Sequence, residues 1–382
     1  MGDYSVAFKI PLFQLNFDHK EEDAVLATLR SKWISTGPNV KRLEAAFQDL
    51  LRVPNAVAVT NCTAALHLAL EVLGVKEGDE VLVPSLTFVA TVNAVRYVGA
   101  TPVFVDIRGP EDFSIDPDDL ESHITSRTKA IVPMHFGGFG CDMERLMALA
   151  RRHRLFVVED AAHAPCSEYA GKMLGTFGDI GVFSFFSNKN MTCAEGGMLV
   201  TSNEEYARQA RLLRSHGMTT LSYDRAQGHA TKYDVVGLGY NYRMDDVRGS
   251  LALAQLEKLR PGIQKRLDKR LAYLEALRNV SAIHIPYRDY AFAASHYIFP
   301  VVLKHGGPAF RDGVRSRLAE AGIETSVHYP AVHRFSYYAP YTRALPRTEF
   351  VADHEITLPL YESLSADEIA FIAGTLERAL AV

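Results

Sequence analysis

The chain has 382 residues, 48% hydrophobic and 23% charged, which suits a globular enzyme with a large domain and a smaller one. A formal charge of −4 and a pI near 6.4 give no electrostatic basis for binding nucleic acid or an anionic membrane. No apolar run approaches the ~20 residues of a membrane span.

Met1–Phe13 lacks the cationic and apolar regions of a secretory leader, so a cytoplasmic location is expected. The start resembles a myristoylation signal, but Val6 stands where Ser or Thr is needed. Cys62, Cys141, Cys166 and Cys193 lie far apart and form no CxxC pair. Reduced thiols are therefore expected, with neither a disulfide framework nor a metal site.

Residues 1 to about 30 are expected to pack near the active-site face. From there short apolar runs alternate with amphipathic helical segments. Strands are predicted at 57–60, 80–84, 102–105, 130–133, 155–159, 181–185 and 198–201, with helices over 64–73 and 90–98. Strands spaced by helices imply crossovers and an α/β fold with a mostly parallel central sheet, covered on both faces. Ligands in such sheets sit beyond the carboxyl ends of the strands. A helical stretch over 245–277 follows, with a break or kink predicted at Arg260-Pro261-Gly262. The domain change is placed there, giving a large domain over 1–260 and a smaller α/β domain over 261–382. Strands at 297–302 and 325–328 and helices over 310–321 and 365–380 are expected in the smaller domain.

Two polar strand ends carry the chemistry. Leu155–Val158 runs into Glu159 and Asp160, and Ile180–Phe186 runs into Ser187-Asn188-Lys189-Asn190. A strand-end carboxylate is often only a helix cap, and a loop lysine is usually solvated. Together, at the ends of two buried strands, they suit pyridoxal phosphate. Its aldehyde needs a lysine for a Schiff base, and its ring nitrogen needs a carboxylate. In Thr60–His67 a strand ends, a polar turn follows and a helix begins. The first-turn N–H groups of a helix have no internal partners and bind phosphate well. Read alone, this turn is equally a plain cap, Phe88 a core aromatic, and His163 and Asn241 polar residues near helix starts.

The phrases EDAAHA, GVFSFFSNKN and AEGGM resemble the DegT/DnrJ/EryC1/StrS sugar aminotransferases, over roughly Gly37 to His333. The resemblance implies a fold type I pyridoxal-phosphate transferase. It implies Lys189 as the Schiff-base residue, Asp160 as the ring-nitrogen partner and His163 near the phenolic oxygen. It implies that Cys62, Thr63, Ala64 and Ser184 hold the phosphate and that Phe88 stacks on the ring. Cys62 departs from the glycine usual there, which puts the turn geometry in doubt. Asn190, Arg243, His328 and Tyr329 are implied on the substrate side. Asn241 is implied to reach the neighbouring subunit's phosphate in a homodimer with shared sites. The implied partners are L-glutamate and a nucleotide-linked keto-deoxyhexose, with pyridoxamine phosphate as the intermediate cofactor form. AEGGM is more similar to relatives that aminate C4 of the sugar than to the C3 group.

Three rivals stay open at this point. A sugar dehydratase of the same fold would carry histidine where Lys189 stands. An amino-acid aminotransferase would usually need an arginine for a second carboxylate. A non-catalytic regulator would have no need of Lys189 and Asp160, and no basic stripe or helix-turn-helix segment is apparent.

Overall fold

A computed structural model describes residues 8–220 and 232–381. The myristoylation-like start lies outside the described residues. The first strand, β1, is Asn55–Val59, followed by β2 (Glu80–Pro84) and β3 (Thr101–Val105). A small hairpin, β4 (Ile107–Gly109) and β5 (Asp112–Ile115), precedes β6 (Thr128–Ile131) and β7 (Phe156–Asp160). A second hairpin, β8 (Glu168–Tyr169) and β9 (Lys172–Met173), leads to β10 (Ile180–Ser184) and β11 (Gly197–Thr201).

Seven of these strands form one sheet in the order β1-β11-β10-β7-β6-β2-β3. The block from β10 to β3 is parallel, whereas β11 runs antiparallel to both β1 and β10. Every residue of β1, β2, β10 and β11 is buried, as expected for strands covered on both faces. Alternation then sorts their side chains. Ala56, Ala58, Leu82, Val157, Phe183 and Met198 join one core with Leu43 and Phe47 from the helix Pro38–Leu51. Val57, Val59, Val81, Val83, Val158, Val182 and Leu199 join the opposite core with Leu66 and Leu70 from the helix Cys62–Val72.

The C-terminal part has its own antiparallel sheet, in the order β12 (Ile283–His284), β13 (Phe299–Leu303) and β14 (Glu355–Leu358). Helices Gly307–Glu320 and Ala366–Leu380 cover it, closing a core of Phe299, Val301, Leu318, Ile356 and Leu376. The strand predicted at 325–328 is absent. That segment makes only a bridge from Ser326 to Thr357, and β14 takes the place beside β13. The predicted break at Pro261 is also absent: one helix runs through it from Asp246 to Ala276. Pro261 and Glu257 both lie on the exposed face, so water can satisfy the carbonyl that loses its donor.

The start of the chain does reach the functional face. Leu12 donates its N–H to Glu324 at 2.8 Å, and Phe13 lines a small cavity with Asn188, Tyr297 and His328. Among the described residues, no helix is long and apolar enough to cross a membrane, and no group of acidic, His and Cys side chains could hold a metal.

Candidate active site

Asp160 is the last residue of β7 and pairs in register with Val182 of β10. Beyond Ser184 the chain turns, with the Lys189 N–H donating to the Phe186 carbonyl at 3.0 Å. The parallel neighbours β7 and β10 thus deliver the carboxylate and the lysine to the same edge of the sheet. Asp160 is 4% exposed. Its Oδ2 accepts from the Thr91 hydroxyl at 2.7 Å and its Oδ1 from the Ala162 N–H at 3.1 Å. Burial pushes its pKa up, while Thr91, Ala162 and Lys189 pull it back. The carboxylate fits a cationic ring nitrogen, which would supply the charge that burial withholds.

The half-buried Lys189 carries its Nζ 4.0 Å from the centre of the Tyr297 ring. Burial pulls its pKa down to about 7, against Cys62 and Asp160, which push it up. Near neutral pH the amine is therefore available both with and without its proton.

A helix N-terminus faces this pair. Asn61 caps the helix Cys62–Val72 by accepting from the Ala64 N–H at 2.8 Å. The Ala64 N–H, expected at the phosphate, is engaged by this cap. The N–H groups of Cys62 and Thr63 have no partner among the described residues and stay open to an anion. Cys62 has ordinary helical geometry and is not among the residues with positive φ, so replacing the usual glycine distorts nothing here. The glycine requirement falls elsewhere. A Cβ on Gly197 would lie 2.6 Å from the Asn61 carbonyl carbon and 2.7 Å from the Cys62 nitrogen, so β11 begins hard against the cup. Ser184, 8% exposed at the end of β10, accepts from the Phe186 N–H at 3.3 Å and keeps its hydroxyl proton to donate.

His163 is buried, and burial holds its pKa well below the usual value, so the ring is neutral. Its Nδ1 accepts from the Gly137 N–H at 3.2 Å, which leaves the proton on Nε2, 3.1 Å from the Tyr329 hydroxyl. Both ring nitrogens are thereby engaged within the protein. The Tyr329 hydroxyl accepts from His163 and keeps its own proton to donate. Phe88 leads into the helix Val89–Tyr97 and is 55% exposed; its ring centre is 5.9 Å from that of Tyr329.

His328 is buried, with Nδ1 2.9 Å from the Thr357 hydroxyl and its N–H donating to Glu355 Oε2 at 2.8 Å. Burial pulls the His328 pKa down to about 3 and pushes that of Glu355 up to about 8. Asn190, expected at the substrate, donates to the Ser295 carbonyl at 2.7 Å and so ties the lysine loop to the C-terminal part of the chain. Arg243 lies beside the end of β1, where the Thr60 N–H donates to the Tyr242 carbonyl at 2.8 Å. Asn241 is exposed on the same stretch.

Cys62, Asp160, His163, Lys189 and His328 come close enough to influence one another's charge. Asn241 does not join them within the chain. Thr91, Tyr297 and Glu355 were not foreseen. The one available signal was Thr91 itself, a hydroxyl three residues after Phe88 on a helix leaving the same sheet edge.

A parallel sheet with an acid and a lysine at one edge, opposite an open helix N-terminus, defines a pyridoxal-phosphate enzyme of fold type I. The chain matches the DegT/DnrJ/EryC1/StrS aminotransferase family over residues 16–377 and belongs to it. It is 40% identical over 358 residues, 92% of each chain, to the spore coat polysaccharide biosynthesis protein SpsC of Bacillus subtilis. Its fold is similar to that of Spr1654 from Streptococcus pneumoniae in its PMP form, at 32% identity and a TM-score of 0.91, covering 98% of this chain and 99% of that one. The PLP form of the same protein matches with a TM-score of 0.90. PseC of Helicobacter pylori, an aminotransferase of pseudoaminic acid biosynthesis, is 29% identical with a TM-score of 0.90, covering 98% of this chain and 99% of that one. The cofactor of this sugar aminotransferase family is pyridoxal phosphate.

Proposed function

We propose that this chain transfers an amino group from L-glutamate to C4 of a nucleotide-linked keto-deoxyhexose, in cytoplasmic amino-sugar biosynthesis. The observation that carries this reading is the pairing of Asp160 and Lys189 at one sheet edge, on adjacent strands. Lys189 also weighs against a dehydratase, and the buried Asp160 against a non-catalytic regulator.

When bound, pyridoxal phosphate supplies an electrophilic aldehyde and a ring that accepts an electron pair. In this reading Asp160 holds the proton on the ring nitrogen. The N–H groups of Cys62 and Thr63, with the Ser184 hydroxyl, receive the phosphate, and Phe88 covers the ring. Lys189 would hold the aldehyde, and its free Nζ would carry the proton removed from the donor's α-carbon. Tyr329, oriented by His163, donates toward the phenolic oxygen or the incoming sugar. His328 and Arg243 line the acceptor side, and Asn190 anchors the lysine loop. Asn241 completes the partner subunit's phosphate site in a homodimer, which supports its exposure here. The large domain is assigned to 1–260 and the smaller to 261–382, sharing the long helix.

Mixing the loaded protein with glutamate alone tests the donor. It should release 2-oxoglutarate in an amount matching the sites, before any sugar is added. Adding dTDP-, UDP- and GDP-linked 3- and 4-keto sugars then tests the acceptor, with products identified by mass and NMR. Release that requires sugar, or amination only at C3, would overturn the respective half of the reading.

A further inference from the structure

Tyr297 belongs to none of the roles assigned so far, yet it touches Lys189, Asn188 and His163. It is 4% exposed. The Lys189 Nζ lies over its ring, 4.0 Å from the centroid. Its hydroxyl donates to the side-chain oxygen of Asn188, the residue before that lysine, at 3.0 Å. Its ring centre is 4.2 Å from that of His163, tilted by 39°. The backbone is pinned as well: its N–H donates to the Gly137 carbonyl at 3.0 Å, and its carbonyl accepts from Arg266 at 3.3 Å. A ring fixed at so many points cannot drift away from the amine.

We infer that Tyr297 is a positioning residue whose aromatic face seats the Lys189 amine whenever that amine is not bonded to the cofactor, and favours its protonated form. The inference rests on the role proposed for Lys189. An ammonium over an aromatic face is attracted by the ring's negative centre, the more so where water is scarce. Lys189 needs that support. Burial disfavours its charge, and among the described residues the acidic groups acting on it are Asp160, at the end of β7, and the Cys62 thiol, at the helix start. Cys62 is itself held neutral by burial. The imidazoles facing it, His163 and His328, are neutral and contribute no attraction. The Tyr297 face keeps the amine within reach of both proton states at neutral pH. It also gives the free amine one place to rest, so that it returns along the same path on each half-reaction.

The test reads the acidity of Lys189 in the apoprotein, by competitive labelling with a small acylating reagent over a pH series and peptide mass spectrometry. Tyr297→Phe keeps the face and loses the bond to Asn188. Replacement by pentafluorophenylalanine keeps the shape and removes the negative ring centre. Tyr297→Leu removes the ring. The expected result is a Lys189 pKa unchanged in Tyr297→Phe, and lower by about one pH unit with the fluorinated ring and with Leu. No change with the fluorinated ring would overturn the inference, even if the Leu variant failed to fold. So would an equal shift in the Phe variant, which would make the hydroxyl the active group. Labelling proceeds without turnover, so it stands or falls separately from the release of 2-oxoglutarate by glutamate. The predicted shift in a protein that released none would leave Tyr297 its role at the amine and overturn the glutamate reading.

Discussion

Thr91 donates its only hydroxyl proton to Asp160 Oδ2 at 2.7 Å, while its oxygen lies 2.8 Å from the Thr87 hydroxyl. With the Thr91 proton spent on the carboxylate, Thr87 must be the donor in that second contact. Two buried hydroxyls thus form a chain that ends on the acid and favours its ionised form, against the burial that opposes it.

The first prediction tests that chain. Thr91→Val keeps the shape and removes the donor, so the Asp160 pKa should rise further. A charge-assisted hydrogen bond of this kind is worth about 1.5–3 kcal/mol. The glutamate half-reaction should slow by about 10- to 100-fold in stopped-flow absorbance, more than the loss of thermal stability explains. A half-reaction at the wild-type rate would remove Thr91 from any functional role.

Lys189→Ala should abolish turnover and leave the fold intact. The side chain is half-buried in a turn beyond β10, with its amine over the Tyr297 ring. Circular dichroism and the melting profile should match those of the wild type while product formation vanishes. Measurable transamination by the purified variant would dismiss the lysine assignment.

Glu355 gives a pH signature of stability. Its folded pKa, about 8, lies above its ordinary value of 4.5. The folded chain thus holds a proton that the unfolded chain has released. The stabilisation is fully present below pH 4.5 and is lost as pH rises through 8. In Glu355→Gln this loss should disappear, so that the unfolding free energies of variant and wild type, read from denaturant curves, diverge between pH 5 and 8 by an amount on the order of a few kcal/mol. Parallel pH profiles would show that Glu355 is ionised in the folded chain.

Asn241 allows a test of shared sites. Lys189→Ala and Asn241→Ala chains, each impaired alone, should regain activity when refolded together. In a mixed dimer one site carries both defects and the other carries neither. With random pairing, roughly a quarter of wild-type activity should return. If verified mixed dimers show no recovery, Asn241 serves its own chain's site or none.

Much of this was legible because buried parallel strands announce themselves as continuous apolar runs, and a polar residue at the end of one stands out. Asp160 and Lys189 were visible for that reason. Tyr297 was not, because an aromatic within SHYIFP reads as core, and only the packing of the smaller domain brings it over the lysine. The misplaced strand at 325–328 has a similar cause. Its alternation suits a strand, yet Glu355–Leu358, with a glutamate and a threonine among its four residues, pairs with β13, while its carboxylate accepts the His328 N–H. At Ala64 the sequence hid a local competition: Asn61 takes the same N–H that an anion would use.

The helix that passes Pro261 unbroken has a consequence for recombining this enzyme with its relatives. One end is locked to the large domain, where Asp246 accepts the N–H groups of Asn39 and Val40 at 3.1 and 3.0 Å. The other feeds Arg266 and Arg270 to the carbonyls of Tyr297, Leu360, Pro286 and Tyr287. A crossover at residue 260 would join halves of two foreign rods, each about four turns long and too short to stand alone in water. A chimera that exchanges the smaller domain should instead inherit the whole rod from one parent, with its joint in the turn after Leu277.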